Sequence, residues 1–319
     1  MYIGWREIRD AKGRFALITG VVALLTLMVV MLSALAAGLD AESTSAVRSL
    51  PGDLRTQESA DGSATSLTDS RVQQEPGVPA LGVATTRIAN GDHAAAVSAF
   101  GRSDVSAVTV DPETAASLGL HAGSTATIGA ATVRIDAVAD VGKYAHTSVV
   151  QMPLTVWQQA TGRDGASALL TDRAVPGTVM TAHADLPSLV PGYQSEHSSF
   201  LLIQALLVVI SAVVVGGFFA VWTGQRVRAL AVVRAMGASR RYLLRDGLGQ
   251  ALLVLATGLV VGLAVGGVAA WAASSVVPIA VDPAATATLL AGIGVLGLVG
   301  AALALRPLVR VDPLIALNR

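Results

Sequence analysis

Four long stretches of this 319-residue chain carry no charged side chain, and they constrain its fold more than any other feature. They are residues 15–39, 200–224, 247–281 and 283–305. Each exceeds the roughly 20 apolar residues that a helix needs to cross a bilayer. We therefore expect a membrane protein, and the pattern excludes a soluble cytoplasmic enzyme, a nucleic-acid binder and a disordered regulator.

The charged residues are segregated along the chain, although their formal sum is zero. The segments 1–14, 225–246 and 306–319 together hold 13 basic and four acidic residues, whereas residues 40–197 hold nine basic and 17 acidic residues. Short loops rich in Lys and Arg stay in the cytoplasm, while long domains cross the membrane largely regardless of charge. The pattern predicts four spans, two cytoplasmic termini and one large extracellular domain.

The predicted fold class is membrane α-helical, with four transmembrane helices and an extracellular α+β domain between the first two. In chain order we expect an amphipathic cytoplasmic segment at 1–14, helix 1 at 15–39, the domain at 40–197, helix 2 at 198–224, a cytoplasmic coupling segment at 225–246, helix 3 at 247–275, a short extracellular turn at 276–284, helix 4 at 285–305 and a cytoplasmic tail at 306–319. The first span also resembles a cleavable signal peptide at Ala34-Leu35-Ala36. Its 25 uncharged residues exceed the usual apolar core of about 7–15, which favours a retained anchor.

Within the domain, residues 43–82 are rich in Ser, Asp, Gly and Gln and predict loops with short elements. Further along, alternating residues predict strands at 106–110, 124–128, 132–138 and 148–152, with a hairpin around Gly129. Asp111 followed by Pro112 predicts the start of a short helix, and a second helix is expected at 154–161. We therefore expect an α+β domain with a small sheet.

The Arg-rich stretch after the second span carries an apolar stripe. Leu230, Val233 and Met236 are spaced for one face of a helix, which breaks at Gly237-Ala238-Ser239. In a cytoplasmic loop such a face must bury against the membrane or a partner. The alternative is a solvated loop whose arginines only keep it inside the cell.

Glycines in the last two spans favour helix packing over chemistry. Gly258, Gly262 and Gly266 have the small-xxx-small spacing that lets another helix approach closely. The GxGxxG pattern at 292–297 lies inside a predicted span, not after a strand, so it is interpreted as packing. The sequence contains no GxxxxGK[ST] phosphate loop, and the five scattered His residues suggest no metal site.

Two motifs resemble one protein family. Residues 225–241, QRVRALAVVRAMGASRR, resemble the coupling segment of the FtsX/MacB-type ABC permeases, and residues 310–317, RVDPLIAL, resemble their closing motif. The resemblance implies two permease chains, paired as a homodimer in membrane lipid, and two copies of an ABC ATPase that bind the ATP. It implies no enzyme activity, no intrinsic cofactor and no nucleic-acid partner for this chain. The implied ATPase-coupling residues are Arg228, Leu230, Val233, Arg234, Met236, Gly237, Ala238, Ser239 and Arg240. Ala229 departs from the family, which often has Glu there.

A narrower resemblance concerns residues 38–43, GLDAES, and 140–150, DVGKYAHTSVV. Both are similar to the heme-exporting, HrtB-like permeases of Gram-positive bacteria. This implies efflux of heme, or of another amphipathic toxic molecule, as the substrate. The alternative is a permease that transports nothing and uses ATP to move its outer domain, activating a cell-wall hydrolase or a sensor kinase.

Spacing suggests where such a substrate would bind. If the first helix continues past the bilayer edge, Met31, Leu35, Gly38 and Glu42 share one face. We expect them, with Phe200 as a further wall, to contact the substrate, and Glu42 to approach the heme iron. A carboxylate is a less common axial ligand than His, Cys, Met or Tyr, and the alternative is a solvated Glu42 where the helix leaves the membrane.

Overall fold

The structure, a computed structural model, describes residues 12–225, 232 and 236–310. The chain divides into two compact units. The domain unit runs from Leu39 to Ser198, and the membrane unit comprises the segments before and after it. Among the described residues the α-helices are α1 (Lys12–Arg48), α2 (Pro112–Leu118), α3 (Leu154–Thr161), α4 (Tyr193–Gln225), α5 (Arg240–Ala273) and α6 (Pro283–Arg310).

Helices α1, α4, α5 and α6 are long and apolar enough to cross a membrane. The predicted fold class, four spanning helices with an α+β domain between the first and second, is confirmed. All four helices have different bounds from the predicted spans, and α1 differs most, since it continues through Arg48. Residues 40–48 are largely polar, yet Ser43, Thr44 and Val47 are buried in the domain unit. That burial stabilises a helical segment that carries no membrane-like sequence.

In the membrane unit, aromatic and aliphatic side chains from all four helices share one core. Phe15 of α1 meets Trp222 of α4 edge to face, with ring centroids 5.0 Å apart. Such aromatic pairs add about 0.5–1.5 kcal/mol beyond their buried area. The other fully buried members of this core are Ile18, Val22, Val215, Phe219, Ala251, Val254, Leu255 and Ala301.

Small residues let α5 approach α1 closely. Gly258, Gly262 and Gly266 all face α1, and a Cβ at Gly262 would overlap with the carbonyl oxygen of Ala23. Without a hydrophobic driving force between helices in lipid, such close van der Waals contact is what holds them together. The GxGxxG glycines at 292–297 lie within α6 and face side chains of neighbouring helices.

The domain unit contains one mixed sheet of eleven strands, so the expected small sheet is wrong in size. The strands are β1 (Leu54–Gln57), β2 (Ala80–Asn90), β3 (His93–Arg102), β4 (Thr109–Val110), β5 (Thr125–Ile128), β6 (Ala131–Arg134), β7 (Ala137–Val138), β8 (Lys143–Tyr144), β9 (Thr147–Pro153), β10 (Ala168–Leu169) and β11 (Thr178–Thr181). Their main order is β11-β1-β10-β2-β3-β9-β4-β7; β5 pairs with β2 and β6, and β8 pairs with β9. Strands β3 and β9 are parallel.

The sheet separates two hydrophobic cores. On one face, Trp157 of α3 packs directly over Gly82 and Gly101, and its Nε1–H donates to the carbonyl of Ala99 at 3.1 Å. On the other face, the end of α1 packs against Phe100 and Tyr144. A segment of 3₁₀ helix, His183–Leu189, completes this second core before α4 begins.

Several local predictions are confirmed. The hairpin around Gly129 forms between β5 and β6. The Asp111 carboxylate accepts a hydrogen bond from the Glu113 N–H at 3.1 Å, so it caps α2 as expected. Helix α3 occupies the predicted range. Of the predicted strand at 106–110, only Thr109–Val110 pairs.

Candidate functional site

Glu42 lies in a charged cluster of the domain unit. Its Oε1 is 2.9 Å from Nζ of Lys143, and the same Nζ is 3.2 Å from Oε2 of Glu113. The hydrogen bond that the Lys143 ammonium donates to Glu42, reinforced by Glu113 and opposed by partial burial, raises the pKa of Lys143 above its usual value. The cluster is about two-thirds shielded from solvent at Glu42 and Lys143, and it carries one excess negative charge.

The segment 140–147 holds this cluster against the last turns of α1. The Lys143 N–H donates to Oγ of Ser45 at 2.8 Å, and the His146 N–H donates to the carbonyl of Glu42 at 3.2 Å. Gly142, with a φ of +82°, lies against the backbone of Ala46, where a Cβ would not fit. The motif at 38–43, through Glu42 and Ser43, and the α1 residues that follow it therefore meet the 140–150 motif at residues 142–146.

The imidazole of His146 belongs to the same segment of the domain unit. His146 has a φ of 61° and follows Ala145 at 47°, both in the left-handed region that non-glycine residues rarely adopt. Its Nε2 is 3.2 Å from Oε2 of Glu196, in the first turn of α4. Sequence reasoning interpreted His146 as an ordinary surface or hydrogen-bonded histidine, which fits this contact, and gave Lys143 no role, although both lie inside the 140–150 motif.

Among the described residues, no group of three or more His, Asp or Glu side chains forms a ready metal site.

In the membrane unit, the predicted substrate residues differ in their surroundings. Met31, Leu35 and Phe200 are half-buried. Gly38 is buried, and a Cβ on it would overlap with the carbonyl of Pro278. In the structure Gly38 packs against the α5–α6 connection, and its contact with a substrate stays a prediction.

That connection also bonds to α1. The Ala280 N–H donates to the carbonyl of Ala34 at 3.1 Å. Together with the contact between Gly38 and Pro278, this hydrogen bond fixes the connection along one turn of α1.

Within the predicted coupling segment 225–246, the structure describes Gln225, Val232 and residues 236–246, with Arg240 described by its backbone alone. Met236 is 75% exposed, and Gly237 has a φ of +99°. Oγ of Ser239 accepts from the Tyr242 N–H at 3.2 Å and caps α5. Four predicted coupling residues, Arg228, Leu230, Val233 and Arg234, lie outside the described residues, as do segment 1–11 and the closing motif beyond Arg310.

Comparison with known proteins gives three matches. Residues 201–313 match the model of the FtsX-like permease C-terminal domain. A hemin transport system permease protein, HrtB, of Staphylococcus haemolyticus is 22% identical over an alignment of 354 residues, which covers all of this chain and 99% of the relative. HrtB of Staphylococcus epidermidis is 22% identical over 191 residues, and there the alignment spans 55% of this chain and about half, 52%, of the relative.

These matches agree with the four apolar helices and with the domain inserted between the first two. A permease of this type is a membrane subunit of an ABC transport system, which implies a separate ATPase partner. The chain is therefore similar to the FtsX-type permeases, through residues 201–313 and through the two hemin transport permeases.

Proposed function

We propose that this chain is the permease subunit of an ABC efflux pump that exports heme, or another amphipathic toxic molecule, from the membrane. The observation that carries the proposal is the alignment of the whole chain with a hemin transport permease. The meeting of the two HrtB-like motifs around Glu42 supports it, because chain segments 100 residues apart form one charged cluster.

In this proposal the termini and the coupling segment are cytoplasmic, and residues 40–197 are extracellular. The charge distribution supports this orientation, because the basic residues gather in the short segments and the long segment is acidic. Two copies of the permease pair, and each binds one of two ATPase chains. Met236 supports the docking role, since a large apolar side chain so exposed at the start of α5 favours a partner surface.

Helix α1 supplies the proposed substrate contacts. Met31 and Leu35 lie one turn apart on α1 in the membrane unit, and Glu42 lies further along the same helix in the domain unit. Met31, Leu35 and Phe200 would contact the apolar body of the substrate. If the Glu42 carboxylate binds the iron, it leaves Lys143, and the freed ammonium can then pair with a propionate of the heme.

The Glu42 proposal is tested by titrating the purified protein with heme and measuring the absorbance of the Soret band. We expect Glu42→Ala to weaken heme binding by roughly tenfold or more, as removal of groups around a metal centre commonly does. Glu75→Ala is the matched control, because Glu75 is an exposed glutamate elsewhere in the domain unit. Identical titrations for both variants and the wild type would remove Glu42 from the site.

The pump proposal is tested by the heme sensitivity of cells that lack the gene. We expect the wild-type chain to restore growth in heme and Met236→Asp to fail, since a charge would oppose burial of that side chain against an ATPase. The control is Met180→Asp, because Met180 is an exposed methionine of the domain unit. Full protection by Met236→Asp would contradict the docking role, and no protection by the wild type would contradict heme export.

The second candidate function is mechanotransmission without transport, in which the moving domain activates a hydrolase or a sensor kinase. It predicts that the wild-type chain neither protects cells from heme nor binds heme when purified. The full-length similarity to a hemin transport permease favours the pump.

A further inference from the structure

The membrane unit contains a cavity of about 440 Å³ that the proposed transport mechanism does not use. It lies where α5 turns into α6, between those helices and α1. This volume falls within the roughly 300–1,000 Å³ of typical ligand pockets. Its lining includes Val30, Ala34, Gly267, Trp271, Ile279 and Leu290.

The two hydroxyl groups that line the cavity already have partners. Oγ1 of Thr286 is 3.3 Å from Oγ of Ser33, and Oγ of Ser274 donates to the carbonyl of Trp271 at 2.7 Å. An ordered water needs about 2–4 polar partners, and apolar cavities without them stay dry. Hydrocarbon therefore fits this space better than water does.

The cavity opens towards the lipid-facing side of the bundle. Trp271 lines it and yet is 79% exposed, and Val281 of the lining is 77% exposed. Trp is the residue type that gathers at the level of lipid headgroups. A chain entering beside Trp271 would come from the bilayer itself.

One carboxylate stands at the edge of the cavity. Asp282 lies between two lining residues, Val281 and Pro283, and it is the one charged residue between positions 247 and 305. Its Oδ1 accepts from the N–H groups of Ala284 and Ala285, both at 3.0 Å, which fixes the side chain at the start of α6. This charge attracts an ammonium group and repels an anionic headgroup.

We propose that the cavity binds one acyl chain of a membrane phospholipid whose headgroup carries an ammonium group near Asp282. The bound chain fills the space beside the α5–α6 connection, which is itself fixed to α1 through Ala280 and Gly38. The site is independent of the transported substrate and of the ATPase.

The acyl-chain site is tested by photolabelling. The full-length protein is reconstituted with a phosphatidylethanolamine that carries a diazirine in its acyl chain, and the labelled peptides are identified by mass spectrometry. We expect label on the cavity-lining part of residues 263–290. Gly267→Phe should abolish it, because a Cβ at Gly267 meets open space and the ring can extend into the cavity without displacing protein atoms.

Val268→Phe is the matched control, since Val268 is the next residue, is 66% exposed and does not line the cavity. It should keep the wild-type labelling. Ala287→Phe, from the α6 wall of the same cavity, is a second blocking variant should Gly267→Phe fold poorly. Equal labelling of the wild type, the folded blocking variant and the control would overturn the proposal.

The headgroup preference is tested by exchanging lipids. The wild type should label more strongly with the photoreactive phosphatidylethanolamine than with a phosphatidylglycerol that carries the same chain. Asp282→Asn should lose this preference while keeping the label in the cavity, because Asn caps a helix about as well as Asp but carries no charge. Equal labelling of the wild type by the two lipids would contradict the role of Asp282.

Discussion

Gly38 lies where α1 passes the carbonyl group of Pro278, and a side chain at this position has no room. We predict that Gly38→Ala lowers the melting temperature of the detergent-purified protein, because overpacking of this kind costs about 1–3 kcal/mol. Gly20→Ala is the matched control on the same helix, since a Cβ at Gly20 meets open space.

Alanine favours a helix over glycine by about 0.8–1.0 kcal/mol, so Gly20→Ala should leave the melting temperature unchanged or raise it. A Gly38→Ala protein as stable as the wild type would show that the α5–α6 connection can move away from α1 at little cost.

The burial of Tyr144 leads to a prediction about how the stability of the fold depends on pH. It is buried in the second core of the domain unit, and its hydroxyl lies 3.1 Å from Oγ1 of Thr68. Burial raises the pKa of Tyr144 from 10.0 to about 12. The folded protein therefore keeps this proton longer than the unfolded chain, and Tyr144 lowers the stability of the fold progressively from about pH 10 to pH 12.

The measurement is the tyrosinate absorbance of the wild type minus that of Tyr144→Phe. The difference should rise with a midpoint near pH 12 as long as the protein stays folded. A midpoint near the ordinary pKa of about 10 would show that Tyr144 is solvated in the native state.

At the scale of helices, the glycine face of α5 determines how closely it approaches α1. We predict that Gly262→Leu disrupts this pair, because even a Cβ there would overlap with the carbonyl of Ala23. Gly217→Leu in α4 is the control, since a Cβ at Gly217 meets open space. Size-exclusion chromatography and thermal unfolding in detergent should show aggregation or a lower melting temperature for Gly262→Leu alone.

The spanning helices could be predicted because the bilayer demands a length and polarity that no other structure shares. The end of α1 could not be predicted in this way. Its residues 40–48 read as a polar segment, and their helical state depends on burial of Ser43, Thr44 and Val47 against parts of the domain distant in sequence.

The long hairpin of β2 and β3 was missed for a related reason. The first five residues of β2 are buried on both faces, so they show no alternation. Strand β3 begins His-Ala-Ala-Ala, a composition that favours helix, and its pairing with β2 overrides that local preference.

Glu42 was singled out from helical spacing, but its surroundings were not accessible to sequence reasoning. Lys143 lies 101 positions further along the chain, and only the fold of the domain brings its ammonium to Glu42. Periodicity describes one element at a time, and ion pairs between elements depend on topology.

At the scale of the whole molecule, the absence of cysteine makes the proposed orientation directly testable. Gln73, in the domain unit, and Ser239, before α5, are exposed, so each can be replaced by a single cysteine. We predict that a membrane-impermeant maleimide labels Gln73→Cys in intact cells and labels Ser239→Cys only after permeabilisation. Labelling of Ser239→Cys from outside would reverse the orientation and contradict an ATPase dock there.

The sheet order also has a consequence for biosynthesis. Strand β1 pairs with β10 and β11, whose residues follow it by more than 110 positions. Loop closure over such separations is slow, and unpaired strands invite misassembly. In the proposed orientation, the first strand therefore stays unpaired until nearly the whole domain has been exported across the membrane. In that orientation, a chaperone on the extracellular side of the membrane would bind the unpaired strand during that interval.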